Sequence, residues 1–330
     1  MQFRILILIL LFREILILMG NYDIIGDIHG YADTLSALLT TLGYRLNQYG
    51  FYSQPERKAV FVGDFIDRGT GQKKSINIVR PMIENGSALA VMGNHEFNAI
   101  AYHTKHSKTG LPLRSHSAAH RLQHQAFLEE YSDLEERTDI INWFKTLPLF
   151  LELKEFRVIH ACWNSGVINS IKNELDNKNC LTDNFLEQAN NYNSHQFNAV
   201  ETLLKGKEIP LPENTGFKDN YGITRRNIRI KWWLDNAHSY NDYALVPGDV
   251  IKDIPHTALP QELIQGFNYP DSEKPVFFGH YWLRGQPQIQ KHNVVCVDYS
   301  IGKADKLLAY RWHSGELKLS NKNFIAVNAI

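Results

Sequence analysis

Five short segments of this 330-residue chain carry carboxylate, imidazole or amide side chains, four of them beside glycine. They are Gly26-Asp27-Ile28-His29-Gly30, Gly63-Asp64-Phe65-Ile66-Asp67-Arg68-Gly69, Gly93-Asn94-His95-Glu96, Ile159-His160-Ala161 and Gly279-His280. Asp27 and His29 stand two apart, a spacing that can turn both side chains the same way. Asp64 adds a carboxylate whose two oxygens can bridge two cations. Asn94 offers an amide oxygen, and His160 and His280 offer ring nitrogens. Three oxygen and three nitrogen donors, with no thiolate, suit borderline divalent ions: manganese foremost, with iron or zinc as alternatives. Two such ions ~3.5–4 Å apart can clamp the attacking and departing oxygens of an in-line phosphoryl displacement. They also lower the pKa of a bound water, giving hydroxide near neutral pH.

Three neighbours complete that chemistry. Arg68 presents a planar fork suited to phosphate oxygens. His95 follows Asn94 directly, so it is better placed to protonate a leaving oxygen than to share its neighbour's ion. Asp67 can orient and charge that imidazole. Taken singly, each segment is weak: an Asp-x-His in a loop is usually a polar turn, and a lone buried histidine is usually core. In series, each behind an apolar run, they reinforce one another. Arg225 and Arg229 are candidates for a second phosphate clamp, with a basic edge strand as the plain alternative. His116, His120 and His124 fall at i, i+4 and i+8, one stripe of a helix, which reads as a solvated or site-facing face ahead of a third metal site. Trp232 and Trp233 read as packing.

The elements that must position these groups alternate. Tyr22–Ile25, Ala59–Val62 and Ala88–Met92 read as strands, each ending in a ligand loop. Helices follow at Thr34–Leu42, capped by Asp33 and closed by Gly43, and at Ser75–Asn85 with Ile76, Val79 and Ile83 inward. Helical spacing continues through Ala118–Tyr131 and Ile140–Leu147. Phe150–Leu153 and Arg157–His160 read as a hairpin. Lys274–Gly279, Val294–Tyr299 and Leu307–Trp312 read as strands, with a last partner near Glu316–Ser320. This alternation predicts a layered α/β fold with ligands at strand ends. Residues 97–150 and 165–270 interrupt it and read as helical insertions within one domain over 19–330.

Lys+Arg and Asp+Glu are equal at 35 each, so no basic face for a nucleic-acid polymer is expected. Three widely spaced cysteines fit a reducing cytoplasm rather than a disulfide framework. Residues 1–18 are apolar but broken by Arg4, Arg13 and Glu14, too short a run for stable membrane insertion. They read as an upstream extension or a misplaced start before Met19, with membrane-surface association as the competing reading.

The series Gly-Asp-x-His-Gly, Gly-Asp-x-x-Asp-Arg-Gly, Gly-Asn-His-Glu, His and Gly-His, over residues 26–280, resembles the calcineurin-like metallophosphoesterases. Within them it is similar to the branch of Ser/Thr protein phosphatases and bacterial diadenosine tetraphosphatases. The resemblance implies an α/β/β/α β-sandwich flanked by helices. It implies that Asp27, His29 and Asp64 hold one divalent ion, and Asp64, Asn94, His160 and His280 the other. It also implies that His95 with Asp67 donates a proton and that Arg68 grips phosphate. Two segments depart from the protein-phosphatase pattern. His160-Ala161-Cys162-Trp163 lacks the glycine that commonly follows that histidine, and Gly279-His280-Tyr281-Trp282 is closer to the tetraphosphatase ending. The first functional expectation is hydrolysis of phosphomonoesters, phosphoproteins foremost. The second is hydrolysis of diadenosine tetraphosphate or similar dinucleotides. A non-catalytic, metal-stabilised binding module is the third, disfavoured because it has no use for His95, Asp67 and Arg68.

Overall fold

In the computed structural model, which describes residues 20–330 apart from 219–221, 236, 247 and 249, alternate side chains of each central strand pack against different partners. Tyr22, Ile24, Val60 and Val62 are buried with Val158, Phe277, Val295 and Trp312. Ile25, Ala59 and Phe61 are buried instead with Leu35, Leu38, Ile76 and Val79, from the helices Ala32–Leu42 and Gln72–Glu84. One face of the first sheet therefore meets a second sheet, and its other face meets helices.

The first sheet runs Phe324–Asn328, Lys306–Trp312, Asn21–Ile25, Arg57–Phe61, Ala88–Ala90. Asn21–Ile25, Arg57–Phe61 and Ala88–Ala90 are parallel, and the other two strands are antiparallel additions. The second runs Val294–Cys296, Val276–Phe278, Arg157–Ile159, Phe150–Glu152, parallel but for the last. Its outer residues Ile159, Phe278 and Cys296 share a core with Val200 and Leu203 of the helix His195–Lys205 and with Trp232. The result is the expected α/β/β/α sandwich. Trp232 and Trp233 are buried packing residues, and the Trp232 indole N–H donates to the Ala161 carbonyl at 3.2 Å.

Several local expectations need correction. Asp33 is not a cap: Tyr31 holds that position, because its N–H already turns back to the Ile28 carbonyl, and Asp33 pairs with Lys74 from the first turn. Ile83 is only half-buried, and Met82 takes the inward place beside Val79. The last strand is Phe324–Asn328, not Glu316–Ser320. Glu316 is held in a turn, its N–H on the His313 carbonyl and its carboxylate accepting from Asn323, so pairing waits for the apolar run beyond. The expectations for residues 1–18 lie outside the described residues. Among the described residues, no helix is long and apolar enough to cross a membrane.

Candidate active site

Loops that leave the strands at Ile25, Phe61, Ala90, Ile159 and Phe278 meet at one end of the sandwich. Five of the residues they deliver sit in the left-handed region: His29 (φ 49°), Asp64 (52°), Asp67 (64°), Arg68 (105°) and His280 (72°). Such backbone costs ~1–3 kcal/mol per residue and persists only where its surroundings over-determine it. Here the Ile28 and His29 N–H groups both donate to the Asp64 carbonyl, at 3.0 and 2.8 Å, and Gly69 N–H donates to His29 O at 2.7 Å. The fully buried Glu96 carboxylate accepts from the N–H groups of Asp64 (2.8 Å), Phe65 (2.8 Å) and Gly93 (3.0 Å). Gly93 and Gly279 serve close approach: a Cβ on either would collide with the carboxylate of Asp64 or Asp27.

Asp64 is the centre. Its Oδ2 lies 3.4 Å from His160 Nε2, 3.7 Å from His29 Nε2 and 3.9 Å from His95 Nε2. Donor atoms of His29, Asp64 and His95 form one group within 4.8 Å, and those of Asp64, His160 and His280 form another. Asp64 belongs to both, as two bridged ions require. Ring orientation supports the same use. Nδ1 of His29 faces the Ile66 carbonyl at 3.0 Å, and Nδ1 of His160 faces the Val62 carbonyl at 2.7 Å. Carbonyls only accept, so each Nδ1 carries the proton and each Nε2 presents a lone pair. Those lone pairs converge on oxygens, including Asn94 Oδ1 at 3.0 Å from His160 Nε2. The arrangement needs a cation between them, and without a metal ion a proton serves: burial of His160 is outweighed by Asp64, which raises its pKa. Both ring nitrogens of His280 are buried without a hydrogen-bond partner among the described residues, again a ligand's condition rather than a core histidine's. Asp27 accepts the His280 N–H and lies 4.0 Å from His29 Nε2.

Electrostatics agree with a divalent pair. Burial lowers His29 to about 4, and burial with Arg229 and His160 holds His280 well below its ordinary value, so both are neutral donors. Asp64 stays well below the carboxylate range despite burial, because His160 and His95 face it. Burial, Asp298 and Asp64 push Asp27 well above that range, the mark of carboxylates crowded together and short of positive charge.

Around this centre the candidates separate. His95 Nδ1 lies 2.7 Å from Asp67 Oδ2, and burial of His95 is outweighed by Asp64 and Asp67, which raise its pKa. Arg68 is exposed at the mouth of an adjoining cleft of about 260 Å³. Arg229 reaches the site, its guanidinium 5.9 Å from the rings of both Tyr281 and Trp282, and it is paired with Glu208 at 3.2 Å. Arg225 lies on the exposed ribbon Thr224–Arg225 and does not line the cleft.

The histidine stripe is not one helix face. Ser117 caps a new helix by accepting His120 N–H, leaving His116 outside, and His124 sits at the break between Ala118–Gln123 and Gln125–Glu130. His116 stacks on Tyr102 at 3.8 Å, and His120 turns back to Ser115. His124 enters the site, its Nδ1 3.1 Å from Asp67 Oδ1, and His120 lines the adjoining cleft. Asp67 thus faces two imidazoles, which bring it down to about 2 against its burial.

Glu96, Gln72 and Asp298 also serve the site, though none is among the candidates drawn from the motifs. Gln72 accepts the Asp67 N–H at 2.7 Å. Asp298 accepts from Trp282 N–H (2.7 Å) and Ser300 N–H (3.0 Å), fixing the loop after His280, and burial raises it to about 6. Its position just beyond the strand Val294–Cys296, like Asp27 and Asp64 beyond theirs, was the available signal.

The family model described as calcineurin-like phosphoesterase matches residues 20–280. The asymmetrical bis(5'-nucleosyl)-tetraphosphatase PrpE of Oceanobacillus iheyensis is 30% identical over 139 residues, 42% of this chain and 54% of that one. Its namesake in Halalkalibacterium halodurans is 34% identical over 145 residues, 42% of this chain and 55% of that one. The chain thus spans about half the length of these PrpE relatives. The symmetrical bis(5'-nucleosyl)-tetraphosphatase of Vibrio vulnificus is 24% identical over 307 residues, 91% of this chain and 97% of that one. The family match runs from the first strand to His280, the same stretch that supplies every donor around Asp64. The chain belongs to the calcineurin-like phosphoesterases.

Proposed function

We propose that this enzyme hydrolyses dinucleoside polyphosphates of the diadenosine tetraphosphate class. The observation that carries the reaction type is Asp64 standing in two donor groups at once. The substrate class is supported by the relatives, named as nucleosyl tetraphosphatases in both partial and near-full-length matches. That support reverses the order of the two enzymatic readings and puts dinucleotides ahead of phosphoproteins.

In this reading Asp27, His29 and Asp64 hold one ion, and Asp64, Asn94, His160 and His280 the other. When bound, the ions supply Lewis acidity at the phosphoryl oxygens and a lowered pKa for the attacking water. The chain's own residues do the rest. Arg68 grips the phosphoryl group. Asp67 holds His95 Nδ1–H, aiming Nε2 at the departing oxygen, which takes its proton. His95 Nε2 also falls within the first donor group. Its side chain borders the cleft beside Arg68, whereas His29 is buried, and we therefore assign it to proton transfer. The insertions 97–150 and 165–270 shape access to the substrate. All three cysteines are free and buried, in keeping with the cytoplasmic location we propose.

The deciding experiment compares turnover of diadenosine tetraphosphate and a phosphopeptide with added Mn²⁺, and again after dialysis against chelator. We expect at least a tenfold preference for the dinucleotide, ~1.4 kcal/mol in transition-state binding. Preference for the phosphopeptide overturns the substrate class, and full activity in chelator overturns the mechanism. His95→Asn should keep both metal equivalents while turnover falls ~10²–10⁴-fold. Loss of a metal equivalent makes His95 a ligand instead.

A further inference from the structure

We propose that the cleft beyond His95 is a leaving-group subsite for a polyphosphate arm, with Arg114 its specificity-determining residue. The inference rests on the proton-donor and dinucleotide readings above. In that reaction water adds to phosphorus, the phosphoanhydride P–O bond breaks, and the departing oxygen keeps the electron pair and takes the proton of His95. Whatever departs must lie on the His95 side of the metal centre. A cleft of about 260 Å³ opens on that side, lined among others by Asp67, Arg68, His95, Arg114 and Lys205.

The lining holds three permanent cations, Arg68, Arg114 and Lys205, against one carboxylate, Asp67. Asp67 is already occupied by His95 and His124. Lys205 is partly neutralised by Glu201, four residues earlier on its helix. Arg114 has no carboxylate among its hydrogen-bond partners in the described residues: one nitrogen donates to the neutral Gln123 Oε1 at 2.9 Å. It is half-buried, and burial lowers its pKa against the opposing pull of Tyr192 and of the Glu201 and Asp67 carboxylates, which are engaged with Lys205 and with His95 and His124. A guanidinium in that condition is suited to phosphate oxygens. A departing seryl hydroxyl would gain nothing from it. A departing nucleoside di- or triphosphate brings the charge it lacks.

The test uses the full chain with Mn²⁺ at fixed free concentration, comparing wild type, Arg114→Gln and Arg114→Lys. The readout is the ratio of kcat/KM for diadenosine tetraphosphate to that for p-nitrophenyl phosphate. We expect Arg114→Gln to lower this ratio about tenfold or more through KM, the worth of a lost charge-assisted hydrogen bond, and Arg114→Lys to restore part of it. A second readout is the Ki ratio of inorganic phosphate to tripolyphosphate against p-nitrophenyl phosphate, which should fall similarly in Arg114→Gln. Ratios within twofold of wild type in both measurements overturn the subsite. If wild type does not cleave the dinucleotide yet Arg114→Gln weakens tripolyphosphate selectively, the subsite stands and the dinucleotide reading falls. If the dinucleotide is cleaved and both ratios are unaltered in Arg114→Gln, the reverse holds.

Discussion

Substituting Glu96 asks whether the Asp64 loop is held by one side chain. Oε2 accepts from the Asp64 and Gly93 N–H groups and Oε1 from that of Phe65, at 2.8, 3.0 and 2.8 Å, and the residue is fully buried. A buried donor left without its acceptor costs about 1–3 kcal/mol. Glu96→Gln retains one carbonyl oxygen. Placed at the Oε2 position it keeps two of the three bonds and turns its NH2 against the Phe65 N–H, for a loss of roughly 1–3 kcal/mol. Glu96→Ala strands all three donors, for roughly 3–9 kcal/mol, with water entering the new space and drawing the figure towards its low end. At ~2.1 cal/mol/K of unfolding entropy per residue, a chain of 330 residues shifts by ~1.4 °C per kcal/mol, so the alanine variant should melt at least ~4 °C lower, and the glutamine variant should fall in between. Thermal and urea unfolding should be run in chelator, so that metal release does not enter the difference. Equal loss in both variants would show that the charge matters rather than the number of acceptors or the volume. An alanine variant within ~0.5 kcal/mol of wild type would show that the loop is held by other contacts.

Three further outcomes are expected. His124 presents only Nδ1 to Asp67, since its Nε2 is buried without a partner among the described residues, so Asn should replace it and Phe should not. His124→Phe should lose about tenfold in kcat with poor leaving groups and much less with p-nitrophenyl phosphate, a contrast that kcat measured on both substrates checks. Arg229→Ala should raise KM by about tenfold, whereas Arg225→Ala should stay within about twofold, because only Arg229 is drawn up to His280 and Trp282; matched steady-state kinetics decide between them. Asp23→Ala should destabilise by ~3–5 kcal/mol in urea unfolding, since it leaves the buried Arg57, 3.1 Å from Asp23, without its counter-charge, while Arg311 at 2.9 Å can turn towards solvent.

Much of this molecule is legible in the chain because the candidate metal donors stand in loops just behind strands. A short apolar run, ending in glycine before every donor but His160, announces both the strand and the loop behind it, so Asp27, Asp64, Asn94, His160 and His280 could be read together with the elements that carry them. The stripe of His116, His120 and His124 failed for a local reason. Spacing of i, i+4, i+8 means one face only if the helix is continuous, and the Ser117 cap and the break at His124 divide it. The last strand was placed too early because Glu316 turns the chain before the apolar run begins.

The supports were harder to read, and the reason separates binding of metal from choice of substrate. Glu96 and Asp298 act as acceptors for backbone N–H groups of other loops, Gln72 does the same for Asp67, and such contacts have no periodicity. Arg114, His124 and Lys205 lie outside the two sheets, and the cleft they form exists only once those segments pack beside the strand ends. The donors around Asp64 depend on sheet geometry and loop hydrogen bonds; Arg114 and Lys205 contribute to neither, and His124 only through Asp67. Change at Arg114 or Lys205 should therefore alter which phosphate ester is taken while leaving metal stoichiometry as it is. Change at Glu96 or Asp298 should act in the opposite order, loosening the metal centre first and turnover of every substrate with it.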